Sequence, residues 1–378
     1  MLKRNKTGFY LGLTAALLPA ALVIALLDGK FYAWLALLVP AAALILLSRT
    51  ALWKKGFRAL FFTLAIILSL SGAYWGRPDF DVSFMGTLTR ECVRFAVGLP
   101  FFRGGKITEY MKKLLPKDWS APDDYSLTEI ELENCRAELI LADKSSENAI
   151  IYLHGGSFVT GNSVVFRNAA LKLSKLGGAA VLLVDYRTAP EHTHPSALLD
   201  ALDAWEYLTD SGFDPGNIIL AGDSAGGNLA LSLTALLRDE NKELPRAIIC
   251  MSPWADLAKK GQSYTYNYEI DPVFGKHSED KHGGSMLTTI YAGDTSLCDS
   301  RLSPVYADFR GFPPMLLQTG SHEMLLSDSE TIYKKAAESG VDVRLSVYHG
   351  MFHDFQLYGS YFPESKAAWN EIRNFISE

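Results

Sequence analysis

A serine stands at position 224 in the run Gly222-Asp223-Ser224-Ala225-Gly226-Gly227. The apolar stretch Asn217-Ile218-Ile219-Leu220-Ala221 precedes it, and the helix-like segment Asn228-Leu229-Ala230-Leu231-Ser232-Leu233 follows. G-x-S-x-G between a strand and a helix is the pattern of a nucleophile elbow, a tight turn that lifts the hydroxyl clear of the backbone. Side chains at the flanking glycines would collide with the crossing strand and helix, or forbid the turn's dihedrals. Such a serine attacks a carbonyl carbon, provided that a base takes its proton and donors receive the resulting oxyanion.

The donors have a candidate segment. His154-Gly155-Gly156-Ser157-Phe158 follows the apolar run Ala149 to Leu153. Paired glycines after a strand leave backbone N–H groups unobstructed, so the N–H groups of Gly155, Gly156 and Ala225 are the expected oxyanion donors. Either motif alone could be an ordinary turn; together they point to acyl transfer. The base is best a histidine steered by a carboxylate, and in this class of fold the chain order is serine, acid, histidine. Past Ser224 the histidines are His277, His282, His322, His349 and His353. The first two fall in an irregular segment, and His322 reads as a surface neighbour of the acid loop. His349 ends the last apolar run and is expected to point inward. His353 lies on the loop beyond that run and is preferred as the base. Glu323, just past the run Met315 to Gln318, is preferred as the acid; Asp328 is expected to cap the next helix.

The elements that must position these groups alternate regularly. Short apolar runs cover Ala149 to Leu153, Ala179 to Val184, Asn217 to Ala221, Ala247 to Met251, Met315 to Gln318 and Val343 to Tyr348. Amphipathic helices are expected around Asn168 to Leu176, Pro195 to Thr209, Asn228 to Arg238 and Asp328 to Ser339. Continuous apolar strands separated by helices predict a mostly parallel sheet covered on both faces. Residues 76–135 read as helical rather than sheet-like, and the stretch from Asp256 to about Tyr291 as an insertion above the sheet.

From about Ala149 onward the chain resembles the hormone-sensitive-lipase family of α/β-hydrolases. The resemblance rests on His154-Gly155-Gly156-Ser157-Phe158, Asp185-Tyr186-Arg187-Thr188-Ala189-Pro190-Glu191-His192, Gly222-Asp223-Ser224-Ala225-Gly226-Gly227-Asn228, Ser252-Pro253-Trp254-Ala255-Asp256-Leu257 and Asp271-Pro272-Val273. It implies an α/β-hydrolase fold with Ser224 as nucleophile, Glu323 as acid and His353 as base. It also implies a helical cap built from about 76–135 and part of 256–291. Two positions depart from the family pattern: Ser157 replaces a usual third glycine, and Glu323 stands where aspartate is common.

Residues 1–75 have a different composition. They carry eight Lys and Arg against Asp28 alone, a net of +7, whereas the whole chain is −6 and the remainder is therefore −13. An acidic remainder argues against a nucleic-acid partner. Phe9 to Leu27, Phe31 to Leu47 and Ala59 to Trp75 contain no charged residue over 19, 17 and 17 positions. At about 1.5 Å per residue each approaches the roughly 30 Å hydrocarbon thickness. Two to three transmembrane helices are expected over 1–75, followed by a hydrolase domain over 76–378. Lys3, Arg4 and Lys6 precede the first span, and Arg49, Lys54, Lys55 and Arg58 follow the second. With three spans, both basic segments are cytoplasmic and the catalytic domain is extracytoplasmic; with two spans, that domain is cytoplasmic. Cys92, Cys135, Cys250 and Cys298 show no metal spacing and are expected to be free and buried. The expected activity is a membrane-anchored serine carboxylester hydrolase acting on a small-molecule or lipid ester, with no metal or organic cofactor. The alternatives are an acyltransferase or deacetylase acting on a cell-surface sugar or lipid, and a non-catalytic binding protein.

Overall fold

The apolar runs become strands of one eight-stranded sheet in the order β1-β2-β4-β3-β5-β6-β7-β8. The strands are β1 (Ser126–Glu131), β2 (Arg136–Leu141), β3 (Ala149–Leu153), β4 (Ala180–Asp185), β5 (Ile218–Asp223), β6 (Ala247–Met251), β7 (Met315–Gly320) and β8 (Val343–Tyr348). β2 runs antiparallel to both its neighbours, and the strands from β4 to β8 are mutually parallel. This computed structural model describes residues 81–97, 120–142, 147–276 and 290–378. The chain divides into two compact units, Met1–Phe95 and Ala96–Glu378. The described part of the first holds all but the last two residues of helix α1 (Phe84–Val97). The second holds α2 (Val164–Gly177), α3 (Ser196–Asp210), α4 (Ala225–Asp239), the short α5 (Ser263–Tyr266), α6 (Leu326–Glu338) and α7 (Pro363–Ser377).

Because both faces of the sheet are covered, β3 and β6 are apolar throughout, and β4, β5 and β7 begin with apolar runs. Those runs give way to Asp185, Asp223, Gln318 and Thr319 toward the carboxyl ends. Side chains alternate between two cores, as the two-residue strand period requires. Ile151, Leu220, Ile248 and Leu317 enter one core with Leu198, Leu229 and Ile332 of α3, α4 and α6. Ile150, Ile219, Ile249 and Leu316 enter the other with Leu173, Trp369 and Ile372 of α2 and α7. The carboxyl ends of β5, β6, β7 and β8 therefore lie side by side along one edge of the sheet.

Several expectations need correction. Residues 126–131, read as helical, form edge strand β1, which pairs with β2. Leu127 and Ile130 are half-buried against opposite cores, and the exposed Ser126, Thr128, Glu129 and Glu131 leave this strand no continuous apolar run. The expected helical cap over 76–135 therefore stops short of 126–131; residues 98–119 and 277–289, with His277 and His282, lie outside the described residues. So do the expected membrane spans over 1–75. Among the described residues no helix is long and apolar enough to cross a membrane. Helix α7 was not anticipated. All four cysteines are free, but only Cys250 is buried; Cys92 and Cys298 are exposed.

Helix α4 begins directly after Ser224 and enters against the end of β3. A Cβ on Gly226 would overlap the carbonyl carbon and oxygen of Leu153 and approach His154 O to 2.7 Å. These are backbone atoms of a central strand and cannot swing aside. Gly226→Ala is predicted to cost about 3 kcal/mol or more in a urea melt. Gly216→Ala, on an exposed turn, is predicted to change stability by less than about 1 kcal/mol.

Candidate active site

Ser224 adopts φ 51° and ψ −117°. A non-glycine residue there stores about 1–3 kcal/mol of strain and is held only when its surroundings over-determine it. Here they do. Ser224 N–H donates to Met251 O at 2.9 Å, and Trp254 N–H donates to Ser224 O at 3.0 Å. A Cβ on Gly222 would strike the backbone of Gly226, and one on Gly227 would meet Pro253 Cβ at 2.9 Å. The Ser252-Pro253-Trp254 segment thus packs against the turn and closes it.

The turn delivers the hydroxyl to an imidazole. Ser224 Oγ lies 3.0 Å from His353 Nε2. His353 Nδ1 lies 3.3 Å from Glu323 Oε2. All three side chains are buried. Glu323 Oε1 accepts from Ser252 Oγ at 2.7 Å and from the Gly320 N–H. The acid loop is fixed from the other side: Asn267 Nδ2 donates to Ser321 O and Glu323 O, at 3.0 and 2.7 Å. Asp271 accepts from the N–H groups of Val273, Phe274 and Met324. Burial pushes the Asp271 carboxyl up to about 6. Phe274 leans over the His353 ring with centroids 4.7 Å apart. A hydroxyl paired with an imidazole that a buried carboxylate orients is the arrangement required for acyl transfer.

The loop after β3 needs its own supports. Tyr186 Oη donates to His154 O at 2.6 Å, and the two rings stack at 4.3 Å. Phe166 stacks on the same imidazole at 4.9 Å. His154 Nδ1 lies 2.7 Å from Gly155 O. That oxygen only accepts, so Nδ1 carries the proton. Burial lowers the His154 pKa, which keeps the ring neutral. Arg187 grips Asp200 of α3 through its guanidinium and backbone N–H. Ala189 N–H donates to Phe158 O at 2.8 Å. The Asp185–His192 motif is therefore scaffolding for the glycine loop.

One expected donor is lost. Gly155 N–H already donates to Asp223 Oδ2 at 3.0 Å, and Tyr152 Oη donates to Oδ1 of the same carboxylate at 2.6 Å. Gly155 thus anchors the loop to the elbow and has no N–H left for an oxyanion. Among the described residues the N–H groups of Gly156, Ser157 and Ala225 donate to no protein acceptor. Gly156 and Ser157 sit at φ 112° and 56°, the left-handed region where glycine is at ease. The replaced glycine at 157 is thus a backbone requirement that serine meets under strain.

The chain matches the α/β hydrolase fold family over residues 150–357. An esterase of Acinetobacter venetianus is 35% identical over 66% of this chain and 80% of its own length. An acetyl-hydrolase of Streptomyces hygroscopicus is 34% identical over 63% of this chain and 78% of its own. The crystal structure of an esterase from the bacterial hormone-sensitive lipase family is 32% identical, with a TM-score of 0.68 over 76% of this chain and 96% of that one. This chain is an α/β-hydrolase of the hormone-sensitive-lipase family. It is an enzyme of the carboxylesterase and lipase type.

Within this hydrolase, the structure separates the sequence candidates. His349 is exposed, so the expectation that it points inward fails. His322 is half-buried and its backbone N–H donates to Met351 O. Asp328 does not cap its own helix. Its carboxylate accepts the N–H groups of Ala255 and Asp256, tying α6 to the loop after β6.

Sequence reasoning missed Asp354. Its Oδ2 lies 3.0 Å from His353 Nε2, the nitrogen that also faces Ser224. No motif marks it, and only the fold turns it onto the ring. Burial alone would depress the His353 pKa; the Asp354 carboxylate, and then Glu323, outweigh burial and hold it well above the ordinary value. Asp223 and Asp271 also feel the imidazolium charge. A raised pKa keeps the imidazole protonated, and useless as a base, to higher pH. Activity should therefore rise with pH through that value. Asp354→Asn keeps the local backbone, since Asn tolerates the φ of 53° found there. It is predicted to move the acid limb of kcat/KM to lower pH; an unmoved or raised limb in a pH–rate series would refute this.

Proposed function

We propose that this hydrolase cleaves carboxylic esters through an acyl-enzyme on Ser224, and that residues 1–75 anchor it in a membrane. The observation that carries the chemistry is the continuous chain Ser224 Oγ, His353 Nε2, His353 Nδ1, Glu323 Oε2, with steps of 3.0 and 3.3 Å across the ring. Ser224 Oγ attacks the ester carbonyl carbon as His353 Nε2 takes its proton. Glu323 holds Nδ1–H and so fixes the tautomer that leaves Nε2 free to accept. The N–H groups of Gly156, Ser157 and Ala225 receive the oxyanion; each such donor supplies about 3 kcal/mol. The tetrahedral intermediate collapses, and His353 returns the proton to the departing alkoxide. Water, deprotonated by the same imidazole, then releases the acid and restores Ser224.

Membrane attachment is supported by hydropathy in the sequence. The excess of Lys and Arg before the first span and after the second favours cytoplasmic placement of both segments, and a third span over Ala59 to Trp75 then carries the catalytic unit outside.

Two measurements test these readings. Ser224→Ala is predicted to lower kcat for p-nitrophenyl acetate by about 10⁴-fold or more. A loss of less than tenfold would remove the mechanism. The full chain should sediment with membranes and resist alkaline carbonate extraction. Recovery in the supernatant would remove the anchor.

A further inference from the structure

Four neighbouring parallel strands each deliver one polar side chain to the same sheet edge. β5 leads to Ser224, β7 to Glu323 and β8 to His353. The strand between the nucleophile and the acid is β6, and the residue at its end is Ser252. Its side chain is fully buried. Ser252 Oγ donates to Glu323 Oε1 at 2.7 Å and accepts the backbone N–H of Asp354 at 3.1 Å. Its own N–H donates to Gln318 O of β7 at 2.7 Å. One hydroxyl therefore bonds both the acid's carboxylate and the backbone next to the base.

We infer that Ser252 is a positioning residue for the Glu323–His353 pair. The inference rests on the reading of Ser224, His353 and Glu323 given above and deepens it. A glutamate reaches its partner over one more rotatable bond than an aspartate, so its carboxylate needs outside restraint. Glu323 Oε1 has two donors, the Gly320 N–H and the Ser252 hydroxyl, and Oε2 is left for His353 Nδ1. Without the hydroxyl, one tie remains and the carboxylate turns about it. Without the same oxygen as acceptor, the Asp354 N–H is unpaired and the loop carrying His353 loosens. Both losses act on the Nδ1 contact, which at 3.3 Å has little margin.

The backbone points the same way. Ser252 sits at φ 45°, where glycine is at ease and serine is strained. Backbone conformation alone would favour glycine here. The hydroxyl is what serine adds.

That strain also supplies the test. Ser252→Ala and Ser252→Gly both remove the hydroxyl, but the glycine relieves the backbone and guards against simple failure to fold. Kinetics are taken per active site, counted with a fluorophosphonate, on p-nitrophenyl acetate with the full chain. Both variants are predicted to lose about 10- to 100-fold in kcat with KM within about twofold. Ser252→Gly should melt at or above the temperature of Ser252→Ala while sharing its kinetic loss. The far-downfield proton resonance of His353 Nδ1–H should weaken or move in both. Parental kcat per site in either variant, or a loss confined to KM, overturns the inference. Ser224→Ala is measured beside them. If it stays active, the reading of the site has failed; if it is dead while Ser252→Gly matches the parent, only the role of Ser252 has failed.

Discussion

The chemistry depends on a single imidazole held between two oxygens in a dry place. His353 must face Ser224 with one nitrogen and Glu323 with the other, and neither angle tolerates much error. Buried side chains make these contacts strong, because little water competes for them. The same burial makes any unpaired charge costly. The fold meets both demands by ending three parallel strands at one edge and letting each carry one partner. Chain segments distant in sequence are brought into register by the sheet.

Around that imidazole the supporting contacts are mostly backbone groups and hydroxyls. Asp223 shows how economical this is. It fills one of the two unspecified positions of the elbow pentapeptide, yet its carboxylate accepts from Tyr152 Oη and Gly155 N–H and so joins the nucleophile's turn to the glycine loop. Burial, and then the nearby Asp354 charge, push its pKa well above the ordinary carboxyl range. Tyr186 and Arg187 extend the same support from β4 to α3. The motifs shared with the family therefore divide by task. Ser224, Glu323 and His353 lie at the reacting end; the Asp185–His192 and Ser252–Leu257 segments hold that end in shape.

The central sheet was legible because strands covered on both faces must be largely apolar, and β3 through β7 each carry such a run. Edge strand β1 was not, since only Leu127 and Ile130 are half-buried, on opposite faces, and the residues between and around them are exposed and polar. Ser224, His353 and Glu323 were legible from the G-x-S-x-G spacing and from chain order. Gly155 was misread because glycine pairs suggest two free donors, whereas the loop spends one on Asp223. That choice follows from the direction of one N–H, which sequence does not encode locally. Asp354 and Ser252 were missed for a related reason. Their importance comes from strands far apart in the chain meeting at one edge, and neither lies in a pattern with its own chemistry.

The most direct measurement of the central claim is covalent capture. The full chain is treated with a fluorophosphonate, digested, and its adduct located by mass spectrometry, with His353→Ala treated alongside. The account predicts one adduct on Ser224 in the parent and little or none in the variant. An adduct at another serine, or labelling of Ser224 at the parental rate without His353, would contradict it.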